Sequence, residues 1–139
     1  MLQPREVTAS ATTECNQSRF EFATHVRREV VAEFSGGTIS SDGGALLLRE
    51  TNRRMNLLPR LAQCFLDGRN PALVKHEVSQ MLAQRVYGLA LGYEDLNDHD
   101  QLRQDPLLQL MAGKANPGTE LLAGKSTLHR LELTPVRAN

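Results

Sequence analysis

Apolar residues recur at steps of three and four along one stretch in the middle of the chain. They are Val74, Val78, Met81, Leu82, Val86 and Leu89, with Lys75, Ser79, Gln80 and Gln84 among them. This spacing is typical of an α-helix with one buried face. We therefore predict one core helix over residues 71–91, opened by Pro71 and about 30 Å long. Its buried side should carry Val74, Val78, Leu82 and Leu89.

Two glycines indicate a hairpin before this helix. Strand-prone residues at 19–22 and 29–34 are followed by Ser35-Gly36-Gly37 and then by residues 38–40. Glycine accepts the positive φ that tight hairpin turns require. The pattern predicts a hairpin that turns at Gly36-Gly37.

Short helices should follow the hairpin. The Asp105-Pro106 pair predicts a cap for one of them, and Pro135 should end the last one. The expected fold is mainly α (α+β), a short N-terminal β-hairpin followed by a cluster of five or six helices. The predicted parts are a disordered tail at 1–18, a hairpin at 19–40, a helical cluster at 42–112 and a terminal helix at 126–133.

Charge is balanced over the whole chain but not locally. The 16 Lys and Arg residues match the 16 Asp and Glu residues, so the chain lacks an overall basic footprint for nucleic acid. Residues 49–60 hold four arginines and one acid, whereas residues 94–105 hold five acids and one arginine. The folded molecule would have a basic and an acidic side, unless these segments neutralise one another.

Cysteine usage and hydropathy favour a cytoplasmic protein. Cys15 and Cys64 form no CxxC pair, so we expect free thiols. The chain has no signal-peptide pattern and no uncharged run of about 18 residues. We expect no membrane partner.

Several motifs suggest catalysis or metal binding and fail on spacing. A phosphate loop ending in Gly124-Lys125 would need glycine where Thr119 stands. The acidic run from 94 to 100 could open a calcium loop at Asp95. Asp100 then stands where that loop needs glycine, and Pro106 stands where it needs glutamate. We interpret that run as favourable charge at a helix N-terminus. No catalytic, cofactor-binding or metal-binding residue is assigned.

Three groups of residues are candidates for contact with DNA phosphates. The first is Ser40 to Gly44, which is either an anion-binding turn or a tight strand-to-helix joint capped by Ser41 or Asp42. The second is a helical arginine face that is either DNA-binding or simply solvated: Arg49, Arg53 and Arg54. The third is the start of the last helix, which we interpret as a recognition helix: Lys125, Ser126, Thr127, His129 and Arg130.

Three stretches together carry a family resemblance. They are FSGGTISSDGGALLLRE from Phe34, QRVYGLALGYEDLNDHDQLRQDP from Gln84 and GKSTLHRLELTP from Gly124. In this order they resemble the N-terminal third of bacterial insertion-sequence transposases of DDE domain group 1, the insertion-sequence family numbered 1380. The resemblance covers about residues 30–136.

The resemblance implies a role in DNA transposition. Such transposases bind the terminal inverted repeats of their element and cut DNA with Mg²⁺ held by carboxylates. Those carboxylates belong to a ribonuclease-H-like core that follows the last stretch. We therefore expect a truncated end at 136–139, no cofactor in this chain and no catalytic activity. A decayed gene, a frameshifted product and a short interfering protein all fit this interpretation.

DNA and a second copy or a full-length transposase are the partners that the resemblance implies. The alternative is a small helical interaction module without DNA binding, which would dimerise through Val74, Val78, Met81 and Leu82.

Overall fold

The computed structural model describes residues 19–35 and 40–133. Two antiparallel strands, β1 (Arg19–His25) and β2 (Arg28–Glu33), precede the helices. The α-helices of the described residues are α1 (Ala45–Met55), α2 (Leu57–Ala62), α3 (Val78–Ala90), α4 (His99–Leu102), α5 (Pro106–Met111) and α6 (Lys125–Leu133). Short 3-10 helices lie at Pro71–Leu73 and Leu96–Asp98. This confirms the predicted class, a hairpin followed by a mainly helical region.

The hairpin turns at a place the sequence did not indicate. The strands join at Val26-Arg27, with Phe22 opposite Val30 and His25 opposite Arg28. The sequence did not predict this turn between β1 and β2, whereas the predicted turn at Gly36-Gly37 falls on residues that the structure does not describe and stays a prediction. Val26 adopts a φ of 58°, which is unfavourable for a β-branched residue. Residues 36–39 and the predicted tail at 1–18 lie outside the described residues.

Contacts with distant residues hold this turn in place. Arg49 of α1 donates to the carbonyl oxygens of Ala23 (2.9 Å) and Thr24 (3.4 Å). The His25 ring is hydrogen-bonded to the Lys114 carbonyl oxygen. These bonds fix both sides of the turn, so tertiary contacts outweigh the local preference for glycine.

The predicted helix over 71–91 is divided in the structure. Asn70 accepts the Ala72 N–H (3.1 Å) and caps the 3-10 helix at Pro71–Leu73. Val74 and Glu77 then adopt extended backbone angles, so α3 begins only at Val78. Val74 is half-buried although it is not helical. The apolar spacing in the sequence therefore continues across the break and does not reveal it. Leu89, predicted to be buried, is 47% exposed.

α3 lies at the centre of the helical region and packs against α2, α5 and α6. Two groups of buried side chains surround it. The larger core consists of Ala45, Leu58, Ala83, Tyr87, Leu108, Met111, Ala112 and Leu122. The smaller core consists of Met81, Ala123 and Leu128, and it attaches α6 to α3. The last helix is therefore fixed to the fold by its inner side.

Replacing Leu128 by alanine should destabilise the fold by about 2–5 kcal/mol, because Leu128 is 0% exposed and its removal leaves a cavity. Leu133→Ala is the matched control on the same helix. Leu133 is 69% exposed, so its loss should change the free energy of unfolding by less than about 0.5 kcal/mol. Urea unfolding measures both. Equal effects would contradict the packing of α6.

Candidate nucleic-acid interface

The outer face of α6 brings together most of the residues predicted for a recognition helix. Ser126, His129 and Arg130 are exposed, while Leu128 points into the smaller core. A shallow concavity of about 430 Å³ lies on this face. It is lined by Leu96, Asn97, Lys125, Ser126, His129 and Arg130. The lining contains two cations and no acidic residue.

Thr127 lies on the other side of α6. It is half-buried and, with Arg130, borders a second concavity of about 400 Å³ between α6, the start of α3 and residues 65–69. That concavity is lined mainly by apolar side chains, including Met81 and Leu131. Arg130 therefore stands on the ridge between the two concavities. The structure separates Thr127 from Lys125, Ser126 and His129.

The acidic run predicted to serve its own helix also serves α6. Asp95 caps the 3-10 helix at Leu96–Asp98 by accepting the Asn97 N–H (2.8 Å). Asp100 Oδ1 instead accepts the N–H of Lys125, the first residue of α6 (3.0 Å). This hydrogen bond is the main reason that the pKa of Asp100 is lowered. A carboxylate from one segment thus satisfies the start of another.

Lys125 is held by the same acidic segment. Its Nζ lies 3.1 Å from Asn97 Oδ1 and 3.5 Å from Asp100 Oδ2. The side chains of Lys125 and Asp100 are 50% and 45% exposed. Such an exposed ion pair is weak and exchangeable, so the ammonium group remains accessible to an external anion.

A buried glutamine fixes the segment that leads into α6. Gln84 of α3 accepts the Ala123 N–H through Oε1 (3.1 Å) and donates Nε2 to the Ala123 carbonyl oxygen (2.8 Å). Nε2 also contacts Nδ1 of His99 at 3.1 Å. All three residues are almost fully buried. The amide therefore replaces the water that both backbone groups of Ala123 would otherwise bind.

His99 completes this buried polar group. Because Nδ1 accepts from Gln84, the proton of the neutral ring lies on Nε2. Nε2 has no hydrogen-bond partner among the described residues, and burial lowers the pKa of His99. A Cβ on Gly88 would lie 2.8 Å from the His99 ring, so glycine makes room for it. The sequence suggested no role for either Gln84 or His99.

Replacing Gln84 by methionine should cost about 2–4 kcal/mol of stability, because the two backbone groups of Ala123 would stay buried without partners. The matched control is Gln80→Met on the same helix. Gln80 is half-buried and its side chain makes no hydrogen bond within the described ranges, so the change should be small. Chemical denaturation compares the two, and similar midpoints would contradict the role of Gln84.

Stability should fall as the pH drops from about 7 to 5. Burial lowers the pKa of His99, and burial followed by Lys114 lowers that of His76, both from 6.5. The unfolded chain then binds more protons than the folded one as the pH passes below about 6.5. His99→Asn removes one of these rings, and its amide oxygen can replace Nδ1 as acceptor. The free energy of unfolding, measured at several pH values, should therefore depend less on pH in His99→Asn than in the unmodified chain. An equal pH dependence would contradict the lowered pKa of His99.

The arginines predicted on α1 divide into two kinds. Arg49 is turned toward β1 and holds the hairpin, as described above. Arg53 and Arg54 are exposed, and both approach Glu50, with N–O distances of 2.6 and 3.5 Å. The hydrogen bond from Arg53 lowers the pKa of Glu50, and the same bond raises that of Arg53. Within the described part of the chain, no hydrogen bond or ion pair joins these arginines to α6.

The turn from Ser40 to Gly44 connects two of the sequence stretches. Tyr93 donates its hydroxyl to Asp42 Oδ2 at 2.8 Å. The predicted side-chain cap of α1 by Ser41 or Asp42 was wrong, because Gly44 is the N-cap and no side-chain cap bond forms. A Cβ on Gly44 would meet nothing within 4 Å, so close packing does not require that glycine. The contact with Tyr93 favours the joint over an anion site.

Metal binding finds no support in the described residues. Within 19–35 and 40–133, no group of three or more His, Cys, Asp or Glu residues could hold a metal ion. The resemblance assigns Mg²⁺ to carboxylates that follow the last stretch, outside the described residues, so that implication stays a prediction. Cys64 is an exposed free thiol, whereas Cys15 lies outside the described ranges.

Comparison with protein families identifies the family of the chain. The family model described as Transposase DDE domain group 1 matches residues 22–139, most of the chain. Comparison with curated proteins and with solved structures gave no significant match. The chain therefore belongs to the DDE group 1 transposase family.

Membrane insertion of a helix is not supported. Among the helices of the described ranges, none has both the length and the apolar character that crossing a bilayer requires.

Proposed function

We propose that the described region binds DNA for a transposase of this family, and that α6 makes the main contacts. The observation that carries the proposal is the concavity on α6, where Lys125 and Arg130 stand with the hydrogen-bonding residues Ser126 and His129 and without an acid in the lining. Family membership supports DNA as the partner. The terminal inverted repeats of an insertion sequence are the DNA we expect.

The chemistry of this face fits the DNA backbone. Lysine and arginine neutralise phosphates, while serine and histidine donate hydrogen bonds to phosphate oxygens. Arg130 forms no ion pair within the described residues, so its charge is available. Leu128 anchors the helix from the opposite side, which leaves the outer face free to approach a duplex.

α1 supplies a secondary contact in this proposal. Arg53 and Arg54 share one carboxylate, that of Glu50, and so leave one net positive charge. Arg53 is held by two of its nitrogens, whereas Arg54 makes only the longer contact. Arg54 is therefore the better donor to a phosphate. Arg49 acts on the hairpin instead.

The interaction module without DNA binding gains no support from the surface it requires. Met81 and Leu82 are only 3% and 9% exposed, because they are packed within one chain. They are therefore not available as a dimer face. A second copy or a full-length transposase remains part of the proposal as an additional partner, and the cytoplasm as the expected location.

Arg130→Ala should weaken binding to every duplex and flatten the salt dependence. Losing one phosphate contact should lower the log–log slope by about 0.9. Fluorescence anisotropy on an inverted-repeat duplex and on a scrambled duplex, at several salt concentrations, measures both quantities.

Arg53→Ala is the matched control for Arg130→Ala. It removes an exposed arginine that Glu50 already neutralises, so its effect on affinity should be smaller. The proposal would be contradicted by undetectable binding of the unmodified chain at low salt. It would also be contradicted if both variants lost the same affinity.

We also propose that this region binds DNA without cutting it. The described residues hold no group of carboxylates suited to a metal ion. Supercoiled plasmid incubated with the purified chain and Mg²⁺ or Mn²⁺ should therefore stay intact on an agarose gel. Nicking that disappears in Asp98→Ala or Asp100→Ala would overturn this expectation.

A further inference from the structure

The lysine that opens α6 is already paired with an anion of its own chain. Asp100 contacts Lys125 twice, at the backbone N–H (3.0 Å) and at Nζ (3.5 Å). A DNA phosphate at the start of α6 would seek the same two groups, since both offer positive charge to an anion. Asp100 therefore contacts the same two groups that a phosphate oxygen would contact.

Gly124 lies against the Asp100 carboxylate. A Cβ on Gly124 would lie 3.1 Å from Asp100 Oδ1 and 3.1 Å from Arg103 Nη1. A larger residue would require the carboxylate or the guanidinium to shift by a few tenths of an ångström. Glycine before Lys125 therefore leaves room for the carboxylate, and this packing does not involve a phosphate loop.

We propose that Asp100 is an internal competitor of DNA phosphate at Lys125, and that it sets the affinity and salt dependence of α6 for DNA. This inference rests on the proposed function. When DNA binds the unmodified chain, Lys125 has two alternatives. It keeps its ion pair with Asp100, or it turns to a phosphate and the unpaired Asp100 carboxylate attracts a cation from solution. Both cases reduce the net release of counterions on binding.

Asp100→Asn tests the proposal with little change of shape. The new amide oxygen can still accept the Lys125 N–H, so α6 should keep its start. With the charge removed, binding should tighten about two- to fivefold, the range of an exposed ion pair. The salt slope should steepen by about 0.9, one additional phosphate contact. Thermal unfolding checks that the fold is retained.

Asp98→Asn is the matched control for net charge. Asp98 is exposed, and its side chain forms no ion pair or hydrogen bond within the described residues. Removing it changes the net charge equally but frees no lysine. Its salt slope should therefore stay close to that of the unmodified chain.

Lys125→Gln identifies the group through which Asp100 acts. In a Lys125→Gln background, Asp100→Asn should no longer steepen the slope, since no ammonium group is left to release. An unchanged slope in the single Asp100→Asn variant, or the same increase in both backgrounds, overturns the inference while DNA binding itself stands. Absence of binding by the unmodified chain and by Asp100→Asn alike overturns the proposed function and this inference with it.

Discussion

The pairing of one buried glutamine with both backbone groups of Ala123 is the constraint on which the rest of the structure depends. Within residues 19–35 and 40–133, no strand lies beside the segment before α6 to take up the N–H and carbonyl of Ala123. Gln84 reaches from α3 and provides a donor and an acceptor in one planar amide. An amide can do this without a charge, so burial imposes only a small cost once every group is paired. Because α6 begins two residues later, its position follows from this pairing.

Local ion pairs bear on how a chain with no net charge can present a basic face on α6. The arginine-rich and acidic segments neutralise much of their charge locally: Glu50 takes up Arg53, and Asp100 takes up Lys125. Arg130 and the exchangeable Lys125 stand on the exposed side of α6, where a partner can reach them. The acidic run is therefore part of the α6 surface, since it caps the helix and moderates its charge. The net charge of zero does not show how the charged groups are distributed over the molecule.

Local sequence signals predicted the elements better than their junctions. Asp105-Pro106 does cap α5, with Asp105 Oδ1 accepting the Leu107 N–H at 2.7 Å, and the last helix begins within one residue of its predicted start. The junctions depend on distant partners instead. The hairpin turn is held by α1 and by Lys114, and the break before α3 keeps Val74 in the apolar period although its backbone is extended.

The buried polar group was hidden for a related reason. Gln84 lies between the apolar residues of the period, where a polar side chain is normally taken as solvent-facing. Its partners lie 15 and 39 positions away, so no local spacing connects them. Gly88 was the only available signal, because a glycine inside a helical pattern often marks close approach, here that of His99. The candidate residues on α6 could be selected from the sequence because cations at a helix start are visible there, and their contact with DNA stays a prediction.

Amide hydrogen exchange at Ala123 tests the central claim most directly. If Gln84 holds this backbone group inside the fold, the Ala123 N–H should exchange only through global unfolding, at a rate close to that of the slowest α3 amides. The amide of the neighbouring exposed Leu121 should exchange much faster. Nuclear magnetic resonance in deuterated buffer resolves the two sites. Exchange of Ala123 as fast as that of Leu121 would contradict the account, because the segment before α6 would then open independently of the core.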